Sequence, residues 1–99
     1  MKVPPPDLTQ TPTHLDFAVA EVIYAEDKQV RAVVTKDRQN LYRVFPEFWD
    51  VSDLETIGEA YWNRCDHQGI TDDIEIAHGI AQEILRTTPR SKVLPYVDE

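Results

Sequence analysis

Two groups of side chains in this 99-residue chain are of types that could do chemistry. The first is the run Cys65 to Glu75, CDHQGITDDIE. Counted as an EF-hand-type calcium loop from Arg64, it places Asp66 third, Gln68 fifth, Gly69 sixth, Asp72 ninth and Glu75 twelfth. The glycine and the final glutamate suit such a loop. Arg64, however, puts a cation where the first carboxylate must stand. The spacing therefore predicts a helix–turn–helix connection with a capped second helix, not a calcium site.

Cys65, His67 and His78 are the soft metal ligands of the same region. Cys65 and His67 lack the spacing of a structural zinc pair, and tetrahedral zinc needs further ligands. A nucleophilic cysteine needs positive surroundings that favour the thiolate. Asp66, Asp72 and Asp73 stand near Cys65 in sequence, at the end of an expected helix, so its pKa is expected to rise. The reading is a half-buried structural thiol.

The second group is carboxylates: Asp72 and Asp73, and Glu47, Asp50, Asp53 and Glu55. General acid–base chemistry needs a pocket and a perturbed carboxylate. Capping and solvation account for these residues more simply. No cofactor and no metal are expected, and the balance leans against an enzyme.

These residues hang on the stretch 42–62, YRVFPEFWDVSDLETIGEAYW, which holds six of the nine aromatic residues. Aromatic side chains bury the largest apolar areas, so the core is expected there. The pattern also changes in this stretch from alternation to helical spacing. Pro46 lacks an N–H and predicts a strand end or a sheet edge. Ser52 and Glu55 have the spacing of a capping box.

Before it, residues 16–25, 29–35 and 41–46 read as strands joined by short polar turns, hence an antiparallel meander. The first strand is apolar on both faces, which suggests a central or doubly covered position. After it, Leu54, Ile57, Tyr61 and Cys65 recur at helical spacing and predict a helix over 53–65, with Gly58 inside it closely packed. Gly69 is expected to end that helix. Ile74, Ala77, Ile80, Ala81, Ile84 and Leu85 predict a second helix over 72–87, capped by Thr71 or Asp72 and stopped before Pro89. The fold class is thus α+β: a three-stranded antiparallel meander followed by two helices on one face.

The expected core is Phe17, Val19, Ile23, Val33, Val44, Phe45, Trp49, Leu54, Ile57, Tyr61, Ile80 and Ile84. Residues 1–14, with prolines at 4, 5, 6 and 12, predict a flexible arm with polyproline II character. Residues 15–99 make one domain. Within it the tail RSKVLPYVDE is apolar enough to pack on the domain or on a partner.

No apolar run exceeds four residues and no secretory h-region opens the chain, so no membrane partner is expected. One cysteine excludes an internal disulfide and suits a reducing, cytoplasmic setting. Residues 1–46 hold six Lys/Arg and six Asp/Glu, and residues 47–99 hold four and twelve, so the whole net charge of −8 lies in the second part. That field repels nucleic acid and suits a partner with a basic surface.

The functional expectation is a small acidic, non-catalytic accessory protein, of bacterial or phage type, acting through protein–protein contact. The partner-binding residues expected are Glu47, Asp50, Asp53, Asp72, Asp73, Leu94 and Tyr96. One alternative is a nucleic-acid mimic, since residues 47–83 hold ten Asp/Glu and one Lys/Arg. The other is an enzyme-like domain with a small ligand or metal.

Overall fold

The structure, a computed structural model, describes residues 4–13 and 17–89. Its elements are β1 (Ala18–Tyr24), β2 (Val30–Lys36), β3 (Tyr42–Asp50), α1 (Leu54–Ile57), β4 (Tyr61–Arg64), β5 (Gly69–Thr71) and α2 (Ile74–Thr87). All strands pair antiparallel in one sheet ordered β1-β2-β3-β4, with β5 also on β3. The chain is therefore mixed α+β; its first three strands overlap the three expected, and β3 runs on to Asp50.

Two polar turns close the hairpins. Asp27 accepts from the Gln29 amide at 3.0 Å, and Asp37 accepts from the Gln39 and Leu41 amides at 2.8 and 3.0 Å. Each turn carries one residue at positive φ, Lys28 and Asn40. Short side chains that bond back to the main chain stabilise such turns.

The expected helix over 53–65 does not form. One turn, α1, is followed by strand β4, so the three-stranded meander becomes a five-stranded sheet and one long helix remains. Gly58 is the reason on the local side: at φ +76 it terminates α1 in a left-handed cap. It is not packed against a neighbour. Cross-strand pairing is the reason on the tertiary side. Trp62 lies opposite Trp49 and Arg64 opposite Glu47, partners that no local periodicity reveals. The capping box fails too. Ser52 gives its amide and hydroxyl to Asp50, and Asp53 takes the N-cap position without a side-chain cap bond.

Pro46 neither ends β3 nor lies on an outer edge. It sits opposite Ala32 in the middle of the strand. Its carbonyl accepts from Cys65, so its absent N–H points the same way, into the gap between β4 and β5. No ladder bond to β2 is lost. Gln68 donates to Val44 across the same gap, and β4 and β5 act as one interrupted strand. Gly69 accordingly belongs to β5 and does not end a helix.

The first strand is an edge strand, not a central one; β2 is buried on both faces over 30–35. A bulge between Val19 and Glu21 moves the alternation by one residue, so Val19 shares a face with Thr35 while Glu21 shares one with Val34.

Helix α2 covers one face. Val30, Ala32, Val34 and Val44 meet Ala77, Ala81 and Ile84 there. Alanines on both sides let helix and sheet approach closely, and each fully buried Val or Ile contributes about 1.5–3 kcal/mol. Asp73 caps α2, accepting from the Glu75 amide at 2.8 Å, in place of Thr71 or Asp72. Of the expected core, Val33, Val44, Phe45, Trp49 and Ile84 are buried. Phe17, Val19, Ile23, Leu54, Tyr61 and Ile80 are half-buried. Ile57 is 57% exposed, because the helix meant to bury it is absent.

Candidate functional site

The opposite face of the sheet carries Arg31 on β2, Glu47 and Trp49 on β3, and Trp62 and Arg64 on β4. Period-two alternation puts Glu47 and Trp49 on one side of β3, and pairing sets Arg31, Arg64 and Trp62 beside them. Glu47 is buried and holds two cations. Its Oε1 accepts from Arg31 Nε and its Oε2 from Arg64 Nε, both at 2.7 Å. Charge-assisted bonds of this kind fix a guanidinium fork in direction as well as position.

The aromatic rings complete the surface. The Trp49 and Trp62 rings meet edge to face at 5.3 Å between centroids. The Arg31 guanidinium lies 4.2 Å from the centre of the Trp62 ring, a cation–π contact. Arg31 Nη1 also donates to the Tyr24 hydroxyl at 3.2 Å. His67 stands edge-on to Phe45 at 5.6 Å.

Residues 4–13 lie against this face. Trp49 Nε1 donates to the Pro4 carbonyl at 3.2 Å, and Trp62 Nε1 to that of Asp7 at 2.9 Å. Arg31 Nη1 donates to the Gln10 carbonyl and Arg64 Nη1 to that of Thr13, both at 2.7 Å. Every third carbonyl is held. Between Asp7 and Gln10 the arm makes a tight turn, with Asp7 Oδ1 accepting from the Thr9 amide and hydroxyl. Those bonds hold the Asp7 carboxyl below its ordinary range.

Of the seven residues singled out from sequence, five lie among the described residues. Glu47 is an internal counter-ion. Asp50 is buried too, accepting from Ser52 and from Asn63 Nδ2 at 2.7 Å. Burial pushes Asp50 up, but the bonds from Ser52, Asn63 and Tyr61 outweigh it and leave its pKa lowered. Asp53 accepts from the Tyr61 hydroxyl at 2.8 Å. Asp72 and Asp73 are exposed at the start of α2. Leu94 and Tyr96 lie outside the described residues.

The Cys65 to Glu75 run follows β4, contains β5 and ends in the first residues of α2, so a strand precedes it where sequence placed a helix. Among the described residues no three of His, Cys, Asp and Glu converge as metal ligands would. Cys65 follows a strand and not a helix. Burial pushes its thiol pKa up, with Asp66 and Glu47 adding to the effect. Two open clefts, of about 730 and 460 Å³, flank α2, and neither is lined by Cys65, His67 or His78.

Sequence reasoning missed Arg31, Trp62 and Arg64 as members of a face. Two signals pointed to them. Arg31 interrupts the apolar run Val30–Val34, and Trp62 and Arg64 stand two apart, as side chains on one side of a strand do. No protein-family model matches the chain, and comparisons with curated proteins and with solved structures return no match. Among the described residues no helix is long and apolar enough to cross a membrane.

Proposed function

We propose that the protein works by binding another protein, without chemistry of its own, through the sheet face opposite α2. One observation supports this most: four side-chain donors of that face hold four main-chain carbonyls of an irregular segment. A surface that grips backbone groups with aromatic rings and aimed guanidiniums has the composition of interaction hot spots, which are rich in Trp, Tyr and Arg. As an accessory protein it would act by occupancy, bringing its partner into place or keeping it from another contact.

The alternative of a nucleic-acid mimic needs carboxylates that face solvent. Glu47 and Asp50 are buried, so it draws no support from them. The acidic residues left exposed, among them Asp66, Asp72, Asp73 and Glu75, serve as solvated caps and loops.

Photo-crosslinking in the cell of origin tests the reading. A photoreactive residue at exposed His67, beside the face, should trap a protein partner. One at exposed Gln82 on α2 should not. Retention of that partner at high salt distinguishes this contact from charge mimicry, whose long-range attraction salt screens. Crosslinking from Gln82 alone would overturn the choice of face.

A further inference from the structure

The chemistry of the face specifies what kind of segment it can take. Trp49 and Trp62 offer indole N–H groups, which donate and cannot accept; Arg31 and Arg64 offer guanidiniums, which also only donate. The one acceptor between the arginines, Glu47, already has both oxygens engaged. A ligand on this face therefore finds four donors. An added β-strand would bring N–H groups that need acceptors of their own. A proline-bearing segment presents carbonyls with few N–H groups and is already restricted in φ, which lowers the entropy lost on binding.

The donors are also firmly set. Arg31 is 2% and Trp49 4% exposed with the arm in place. The contacts described for Pro4, Gln10 and Thr13 are to main-chain oxygens, so at these positions the face reads the backbone of the arm.

We propose that this face is a receptor for a proline-bearing segment of a partner protein, and that residues 4–13 are its intramolecular occupant, which the partner's segment displaces. The proposal rests on the protein-binding reading above and names the partner's chemistry. Tethering in the same chain raises the arm's effective concentration, typically to about millimolar for a short tether. A partner must therefore present its segment at high local concentration or add contacts beyond the face.

The test uses the full chain and a fluorescent peptide with the sequence of residues 1–13, read by anisotropy. One chain is unchanged. A second carries one glycine inserted after Thr9, which puts the Pro4 and Asp7 carbonyls out of register with those of Gln10 and Thr13 and leaves the sheet untouched. The peptide should bind the inserted-arm chain about tenfold more tightly, because its internal competitor is weakened. The same peptide with its prolines replaced by alanine should bind at least about tenfold more weakly. Arg64→Gln in the inserted-arm chain removes one donor from a partly exposed position and should weaken binding severalfold with the far-UV circular dichroism unchanged.

Equal affinity for both chains would overturn the claim that the arm occupies the site. Equal binding of the proline-free peptide would overturn the stated ligand chemistry. A concentration-dependent dimer of the unchanged chain, abolished by the insertion, would assign the face to a second copy and overturn the proposal for a foreign partner. Crosslinking of a partner at His67 with no peptide binding would overturn this proposal and leave the protein-binding reading standing.

Discussion

Arg31 and Glu47 face each other across β2 and β3 and close a 2.7 Å ion pair in which the side chains are 2% and 4% exposed. Arg64 shares the same carboxylate from the far side at 2.6 Å and is 25% exposed. One anion thus orients two cations, and each cation turns its Nη1 toward the N-terminal arm. The pair sets the direction of two of the four bonds that hold residues 4–13.

Removing the shared charge should be costly. Glu47→Gln leaves a buried guanidinium without its counter-ion, a change that typically costs about 3–5 kcal/mol. Urea denaturation checks it. Arg64→Gln, at a partly exposed position, should cost less. An equal cost for both would mean that Arg31 gains nothing from burial beside Glu47.

Trp49 anchors the aromatic side of the face and is 4% exposed. Trp49→Ala should cost roughly 3–5 kcal/mol, the usual range for an aromatic truncated in a packed interior. A loss under about 1 kcal/mol would show that the ring is not packed as described.

Tyr61 gives an alkaline signature. Its hydrogen bond to Asp53, its burial and the charges of Asp50 and Asp53 push the phenol up to about 12. An unfolded tyrosine ionises near pH ~10. The proton is held more tightly in the folded state, so this contribution to stability is complete below about pH 10 and disappears as pH rises through about 12. Tyrosinate absorbance should show one of the four tyrosines ionising late. Asp53→Asn should bring that step forward.

Two glycines should respond with opposite sign. Gly58 sits at φ +76, so Gly58→Ala should cost about 1 kcal/mol through backbone strain. Gly79 is an exposed interior residue of α2 with open space at its Cβ position. Gly79→Ala should therefore stabilise by about 0.5–1 kcal/mol. Thermal melts of the two variants decide both.

The sequence by itself determined the elements whose signal is local. The apolar pattern of 16–25, 29–35 and 41–46 is a property of neighbouring residues, and β1, β2 and the first part of β3 follow it. The apolar stripe from Ile74 to Leu85 repeats on one side of a helix and is long enough to outweigh any competing pattern, so α2 forms. Asp27 and Asp37 can close their turns with bonds spanning only two to four residues.

Only the tertiary structure decided the region 53–71 and the face it completes. Leu54, Ile57, Tyr61 and Cys65 have helical spacing, yet the aromatic pairing of Trp62 with Trp49 and the ionic pairing of Arg64 with Glu47 favour a strand. Those partners are distant in sequence, so no local window weighs them against the helical pattern. Pro46 is tolerated mid-strand because its missing N–H faces a gap that exists only once β4 and β5 are in place. Glu47 and Asp50 read as solvated acids in sequence because nothing local marks them for burial. Arg31, Arg64 and Asn63 come to them only when β2, β3 and β4 assemble. The arm, too, meets its four donors only after three strands have brought them to one side of the sheet.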